Sequence, residues 1–275
     1  MRAERFWRQA RKVAARALDQ GALVPLETRQ LQLPGLHPFQ LRQLVSAVPR
    51  HLREAGPRPN PFLPWDQPLQ VEHFSTGHVL LLNKFPVQRE HMLLITDHWQ
   101  PQDGWIRAED WQAVLSVSAD TGGLWFFNSH AIAGASQPHR HLQLLPRRAG
   151  QCSCPLAPLL QAQMMGRAPS WSWRYRLCRR LGMPNANELH GLYLQQAQSL
   201  GLGDPERDQR PLHPYNLLFD DEWFLMVRRR QEHGAGFSVN GLGFAGYLLC
   251  TESSDLDWLQ ENGPWTLLQS VAEPI

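Results

Sequence analysis

Apolar positions along the chain follow two periods, one typical of strands and one typical of helices. Apolar residues at helical spacing predict helices near the N-terminus, after Glu109 and after Asn187. Because the elements do not alternate strictly as strand and helix, a parallel sheet is not expected. The pattern predicts an α+β fold on an antiparallel sheet. The runs of strand length are residues 79–83, 91–96, 124–127, 139–145, 215–219 and 223–228.

The first predicted helix carries apolar residues from Phe6 to Leu18 and ends at Gly21. It is amphipathic and rich in arginine, as targeting segments are, but Glu4 and Asp19 interrupt it. We therefore interpret it as the first surface helix.

Two segments are predicted to be irregular. Residues 57–68 are rich in proline, which lacks a backbone donor, and residues 147–170 contain scattered Gly and Pro. After them, Asn187 is predicted to cap a helix whose Leu189 and Tyr193 face inward.

The predicted hairpin of the first half has a counterpart later in the chain. Residues 80–83 lead to 91–95, and residues 215–218 lead to 223–227, with an Asn in or beside the first strand each time. Coincidence of two common hairpins and an internal duplication both stay open, and we favour two fused, pseudo-repeated halves.

The 275 residues suffice for one large domain or two packed halves, and 43% hydrophobic content is typical of a globular protein. We treat residues 1–275 as one catalytic unit with an N-terminal half, 37–150, and a C-terminal half, 171–275. The net charge of +2 singles out neither nucleic acid nor membrane as partner. Four cysteines make no disulfide framework, so a cytoplasmic location is expected.

Residues 128–143 carry the strongest chemical signal. His139, His141 and Gln143 lie two apart, so on a strand they share one face, with Leu142 on the other. A polar row beside a buried strand costs free energy unless it has partners or a function. The preceding small residues let backbone amides approach a phosphate closely.

Two other interpretations of this row stay open. The histidines could be a structural pair satisfied by their neighbours. Alternatively, His139 and His141 could bind zinc together with His130, Cys152 or Cys154.

The segment 134–143, Gly-Ala-Ser-Gln-Pro-His-Arg-His-Leu-Gln, resembles the signature of the histidine-triad superfamily. It is most similar to the transferase branch, the ATP adenylyltransferases that phosphorolyse diadenosine tetraphosphate (Ap4A); the hydrolase branch has a third histidine where Gln143 stands. Further segments resemble that branch in the same order, namely 60–64, 82–86, 91–96, 215–218 and 243–246.

The resemblance implies a histidine-triad-like antiparallel sheet with flanking helices and a covalent mechanism. It makes His141 the nucleophile at the α-phosphorus, with an adenylyl-histidine intermediate that inorganic phosphate then attacks. It implies that His139 supports the strand and that Gln143 binds the transferring phosphoryl oxygens. A Mg²⁺ or similar divalent ion is expected to arrive with the substrate.

The resemblance also implies nucleotide and phosphate contacts along the chain. A solvated turn lysine and a solvated arginine run are the alternative interpretations of two of these positions, Lys84 and Arg228. Expected partners are nucleotides and phosphate, with neither nucleic acid nor membrane. The expected state is a monomer, and a dimer is the alternative. The implied binding residues are Lys84, Asn128, Gly134, Ala135, Ser136, Gln137, Asn216 and Arg228.

The sequence offers three alternatives from other classes of function. The glycines of residues 241–246 fit a dinucleotide-binding pattern, but only 29 residues follow Gly246, too few for a doubly wound sheet. A non-catalytic nucleotide or RNA-binding module would use the arginines at 147–148, 179–180 and 228–230. A metal-dependent hydrolase stays open as the third.

Overall fold

Strands and helices both build the computed structural model, which describes residues 2–46, 60–147, 150–180 and 184–275. Residues 57–59 of the proline-rich segment and Arg148 of an arginine pair lie outside them. The strands in the described residues are β1 Thr28–Leu31, β2 Gln40–Leu44, β3 Gln70–Phe74, β4 His78–Leu82, β5 Met92–Thr96, β6 Leu124–Asn128, β7 His141–Leu145, β8 Tyr175–Arg179, β9 Tyr215–Phe219, β10 Trp223–Arg228, β11 His233–Gly234, β12 Phe237–Ser238 and β13 Tyr247–Cys250.

One antiparallel sheet of eight strands passes through both halves in the order β3-β4-β5-β7-β6-β9-β10-β8. The halves meet where β6 pairs with β9, and Asn128 lies opposite Asn216 at the end of that pair. Both predicted hairpins are present, as β4–β5 and β9–β10. The predicted α+β fold on an antiparallel sheet is confirmed.

A small second sheet ties the halves together again. β2 pairs with β1 antiparallel and with β13 parallel, so residues far apart in sequence form one ladder. β11 and β12 form a short hairpin. Residues of the C-terminal half thereby come to lie beside the N-terminal half.

Helices pack on both faces of the large sheet. They are α1 Arg5–Asp19, α2 Ala108–Thr121, α3 Ala157–Met164, α4 Ala186–Ser199 and α5 Leu256–Val271, the last kinked at Gly263. α1, α2 and α4 pack on the side to which Leu142 and Leu144 point, around the buried rings of Trp111 and Trp125. None of the helices in the described residues has the length and apolar character needed to cross a membrane.

The opposite face carries two separate cores. The larger joins the second-half strands to α3 and α5. The smaller lies under the segment that follows Asn60 and consists of Phe62, Val79, Leu81, Leu93 and Ile95. His141 and Gln143 also lie on this face, because they alternate along β7 with the leucines that face the helices.

The cap of α4 differs from the prediction. Its N-cap is Asn185, not Asn187: the Asn185 side chain accepts from the Glu188 amide at 3.0 Å, and Glu188 accepts from the Asn185 amide at 2.9 Å. Asn185 is the residue three positions before a glutamate, and this reciprocal box satisfies two free amides at once.

Three further details were predicted wrongly or missed. Leu18 is 47% exposed, because the buried stripe of α1 runs along Phe6, Trp7, Ala10, Val13 and Ala17. α3 lies within residues 147–170, which were expected to be irregular; its proline is in the first turn, where a missing donor costs little. The edge strand β8 was missed because most of its side chains are not buried.

A buried ion pair joins α2 to the start of β7. Arg140 donates from Nη1 to Asp110 at 2.8 Å, and His78 contacts the other carboxylate oxygen at 2.9 Å. Burial raises the pKa of Asp110, but the His78 hydrogen bond and the Arg140 charge outweigh it and hold that pKa below its ordinary value. Arg140 also donates to the Pro101 carbonyl at 2.9 Å, so one guanidinium ties three segments together.

Replacing Asp110→Asn is expected to lower the free energy of unfolding by about 3–5 kcal/mol, because Arg140 would keep a buried charge without a counter-charge. The matched control is Asp103→Asn, which breaks the exposed pair with Arg210 at 2.9 Å and should cost less than about 1 kcal/mol. Denaturant unfolding of both variants measures the difference. Equal losses of unfolding free energy in the two variants would contradict the role assigned to the buried ion pair.

Candidate active site

A cleft of about 670 Å³ opens on the sheet face between the two cores, and both halves line it. Gln143 of β7 and Asn128 of β6 form part of its floor. The C-terminal half supplies a wall from the β11–β12 hairpin and β13. The substrate cleft of a single chain therefore needs both halves.

His141 has one ring nitrogen held by the protein. Its Nδ1 lies 2.8 Å from the His139 carbonyl oxygen, which can only accept, so Nδ1 carries the proton. No group of the described residues hydrogen-bonds its Nε2. Burial lowers the pKa of His141 to about 4, against the effect of that hydrogen bond. At neutral pH the ring is uncharged and Nε2 has a free lone pair.

His139 is held at both ring nitrogens. It precedes β7, which begins at His141 rather than at residue 139 as predicted, and pairs with Pro101 in an isolated bridge. Its Nε2 lies 2.8 Å from the Thr96 carbonyl, and its Nδ1 lies 2.9 Å from Asn60 Nδ2. These contacts leave it no free nitrogen, and they suit the supporting role predicted for it.

Asn60 determines the tautomer of His139. Its Oδ1 accepts from the Phe62 amide at 3.0 Å, so its Nδ2 is the atom that faces His139 and donates. His139 Nδ1 is then the acceptor and Nε2 carries the proton. The Phe62 ring lies 5.6 Å from both the His139 and the His141 rings and closes the site on this side.

Gln102 was missed from the sequence and joins the two strands that carry the site. β6 and β7 pair only as far as Phe126 and Gln143. Beyond that point the buried Gln102 side chain accepts from the His141 amide at 2.8 Å and donates to the Asn128 carbonyl at 2.7 Å. It stands in for ladder hydrogen bonds and sets the spacing between His141 and Asn128.

The loop after β6 is held by a network of amides. Asn128 Oδ1 accepts from Asn216 Nδ2 and from the Gly241 amide, both at 2.9 Å. Gly134 has a φ of 86°, and a Cβ there would lie 2.5 Å from the Asn240 Cβ, so only glycine fits. The cleft lining includes Asn128, Gly134 and Gln143, as well as Ser136.

Arg229, and not Arg228, reaches the residues that lie beneath the cleft loop. Arg228 lies 4.0 Å from Glu273 and does not line the cleft. Arg229 is 1% exposed and donates to Asn216 Oδ1 at 2.6 Å and to the Val239 carbonyl at 2.7 Å. Burial lowers the pKa of Arg229 to about 9. Asn216 therefore lies under the loop, between this cation and Asn128.

The other predicted binding residues lie at the rim. Lys84 Nζ is 3.0 Å from Asp66 and is partly exposed, next to cleft residues of the β4–β5 turn. The amides of Gly134 and Ala135 donate to the Ala131 and His130 carbonyls, so they serve the turn itself. Ala135 and Gln137 are half-buried in the same loop as Ser136.

The residues of the zinc alternative do not come together. Within the described ranges no three His, Cys, Asp or Glu side chains form a metal-binding group. Cys154 is buried in the second-half core, and burial raises the pKa of its thiol to about 12, whereas Cys152 is exposed. His139 uses both nitrogens for hydrogen bonds to the protein.

The glycines behind the dinucleotide-binding alternative serve packing, and the arginines behind the RNA-binding alternative lie apart. Gly241–Ala245 is a 3-10 turn, and a Cβ on Gly243 would meet Val239 and Leu268, so these glycines permit close packing. Among the arginines that the structure describes, Arg147 pairs with Glu4 and Arg229 is buried, so these two do not contribute to a common surface.

Comparison with known proteins agrees with this architecture. Residues 1–162 match the Ap4A phosphorylase N-terminal domain, and residues 169–274 match the ATP adenylyltransferase C-terminal domain. Two Saccharomyces cerevisiae proteins are similar. Diadenosine 5',5'''-P1,P4-tetraphosphate phosphorylase 2 is 33% identical over 100 residues, 31% of each chain, and Protein APA1 is 37% identical over 78 residues, 26% of this chain and 24% of that one. The aligned part thus spans less than a third of either relative.

Solved structures resemble the whole chain. Yeast Ap4A phosphorylase Apa2 in complex with Ap4A has a TM-score of 0.74 at 20% identity, covering 100% of this chain and 99% of that one. Its complex with AMP has a TM-score of 0.74 at 21% identity, with the same coverage. The likeness shows a shared fold across both halves.

The two histidines are expected to be opposite tautomers in solution. Nitrogen-15 spectra of the His rings should show the proton on Nδ1 in His141 and on Nε2 in His139. Since burial lowers the pKa of His141 to about 4, its signals should stay those of a neutral ring from about pH 8 to about pH 5. The spectra of His141→Phe and His139→Phe, each of which lacks one imidazole, assign the signals to the two residues. A His141 ring that protonates near pH 6.5 would contradict the burial argument.

Proposed function

The chain belongs to the Ap4A phosphorylase family, and on that premise we propose that it splits Ap4A with inorganic phosphate into ATP and ADP through an adenylyl group on His141. The observation that carries the proposal is the free Nε2 of a neutral His141 beside the cleft. The reaction is reversible, so ATP and ADP would yield Ap4A and phosphate.

In the first step, the His141 Nε2 lone pair attacks the α-phosphorus of Ap4A and forms a nitrogen–phosphorus bond. The bond from the α-phosphorus to the bridging oxygen breaks, and ATP leaves with that electron pair. The ring becomes positively charged while Nδ1 keeps its proton. The hydrogen bond to the His139 carbonyl stabilises this charge and keeps the ring oriented.

In the second step, an oxygen of inorganic phosphate attacks the same phosphorus and the nitrogen–phosphorus bond breaks. ADP forms, and His141 recovers its lone pair. Neither ATP as leaving group nor phosphate as attacking group needs much proton transfer. Gln143 suits this chemistry, since its amide can hold phosphoryl oxygens but cannot act as an acid or a base.

Charge neutralisation is proposed to come from the substrate's own cation and from the rim. The described residues that line the cleft include no carboxylate, so a Mg²⁺ or similar ion would be held chiefly by the polyphosphate. Lys84 at the rim would exchange its Asp66 contact for phosphate. The loop from Gly134 to Gln137 would contact the phosphate chain.

The setting is proposed to be cytoplasmic and the working unit a single chain. All four cysteines are free thiols, as a reducing compartment favours. One chain supplies both walls of the cleft, so a partner copy is not needed to complete it.

The adenylyl group should be found on His141. Incubation with ADP labelled at the α-phosphorus, the adenylyl donor in the reverse of the second step, should release phosphate and give acid-labile, base-stable label in the wild type and none in His141→Ala. His139→Ala should still accept label, at lower yield, because it removes support but not the nucleophile. Equal labelling of His141→Ala would place the covalent step elsewhere.

Phosphate should be required for turnover. With Ap4A saturating and phosphate varied from none to excess, ATP and ADP should appear in equal amounts only when phosphate is present. Without phosphate, AMP should form slowly or not at all, because Gln143 cannot help to activate water. Rapid phosphate-independent release of AMP and ATP would assign the chain to the hydrolases.

Removal of divalent cations should abolish turnover without removing a metal from the protein. We expect chelation to stop Ap4A phosphorolysis and added Mg²⁺ to restore it, since the ion screens the polyphosphate. Elemental analysis should find no stoichiometric zinc in the purified chain. One tightly bound zinc per chain would revive the interpretation based on the histidines and Cys152.

A further inference from the structure

His91 is a buried histidine of the cleft that the proposed mechanism leaves unused. It lies immediately before β5, is 7% exposed and lines the cleft. Its Nε2 is buried and has no partner of hydrogen-bond geometry among the described residues; the Gln143 side chain is the polar group that lies near it. A buried polar atom without a partner is rare, and in a cleft it indicates a group that a ligand completes.

Asn83 shows which nitrogen of His91 carries the proton. Asn83 Oδ1 accepts from the Phe85 amide at 3.1 Å, so the other side-chain atom, Nδ2, is the one 3.1 Å from His91 Nδ1. Because Nδ2 donates, Nδ1 must accept. The proton of the neutral ring is therefore on Nε2, the atom without a partner.

The surroundings keep His91 neutral. Burial lowers its pKa to about 4, the Gln143 side chain opposes this shift, and His141 adds to it. His141 on β7 is the titratable group that acts on it; Asn83 and Phe126, whose ring lies 5.8 Å away, carry no charge. At neutral pH, His91 is a hydrogen-bond donor that does not release its proton to a phosphate.

The sheet register places this donor beside the reaction centre. Leu93 lies opposite Gln143, and Ile95 lies opposite His141. Odd-numbered residues of this region share the cleft face, so His91 is the diagonal neighbour of Gln143. A phosphoryl group that contacts both His141 and Gln143 therefore lies close to the His91 ring.

We propose that His91 Nε2–H donates a hydrogen bond to a phosphate oxygen of the nucleotide bound in the cleft, with Asn83 as the residue that sets its tautomer. The proposal rests on the proposed function, because it takes the nucleotide as ligand. His91 and Gln143 then form a pair of neutral donors next to the nucleophile.

The first experiment compares AMP with adenosine as ligands of the full chain. In calorimetry, His91→Phe should weaken AMP binding by about 10-fold or more, the effect of losing a hydrogen bond to a charged oxygen. Adenosine has no phosphate, so its affinity should not change. His190→Phe, on α4 away from the cleft, is the matched control and should bind both as the wild type does.

The second experiment reverses the tautomer without removing the ring. Asn83→Asp keeps an acceptor for the Phe85 amide but offers His91 no donor, so the proton moves to Nδ1. AMP binding should fall about 10-fold at pH 8 relative to wild type. Towards pH 6 the carboxylate favours the doubly protonated ring, Nε2–H returns and the deficit should shrink. Asn262→Asp, at an exposed position of α5, is the control and should show no pH-dependent loss of AMP binding.

The results distinguish failure of the phosphate contact from failure of the proposed function. Equal losses for AMP and adenosine, or no loss in His91→Phe, would overturn the phosphate contact, as would a deficit in Asn83→Asp that does not change with pH. A wild type that binds AMP but does not phosphorolyse Ap4A would refute the proposed function and leave this contact standing. A wild type that binds no AMP would overturn both.

Discussion

The contact between Arg140 and Asp110 governs the geometry of the site. Arg140 lies between the two histidines in sequence but points to the helix side, where the carboxylate at the start of α2 holds it at 2.8 Å. The same guanidinium binds the Pro101 carbonyl, and the next residue, Gln102, hydrogen-bonds the His141 amide. A buried charge that must keep its counter-charge thus determines, through one loop, where His141 lies.

The cleft is lined by polar groups and by the cation of Arg42, and three uncharged imidazoles lie in the gap between the two apolar cores. On the sheet face each of them has a neighbour that settles its role: the His139 carbonyl for His141, Asn60 for His139 and Asn83 for His91. In both asparagines the oxygen is taken by a nearby amide, so only the donor end faces the imidazole. Burial lowers the pKa of all three rings, and the hydrogen bonds decide which nitrogen is free.

The sequence predicts those parts of this arrangement that depend on local periodicity. The alternation along β7 puts His141 and Gln143 on one face and Leu142 on the other, and this was correct. Gln102 could not be predicted, because it stands in a loop, and its importance comes from the point where two distant strands stop pairing. In the same way, a run of three arginines does not reveal that Arg229 is the buried one, since that depends on contacts with residues far along the chain.

The burial that keeps His141 nucleophilic also bears on the residue at position 143. Desolvation lowers the pKa of both His91 and His141 to about 4. Gln143 is half-buried and lines the cleft, so a histidine at this position would be partly desolvated, which would lower its pKa and make it a weaker base. A site of this kind gains little from a titratable group at this position. An amide at position 143 does not titrate, so it offers a hydrogen-bond donor whatever the charge of its neighbours. The neutral imidazoles and the Gln143 amide therefore suit leaving and attacking groups that need little proton transfer, which under the proposed function is the property that ATP and inorganic phosphate share.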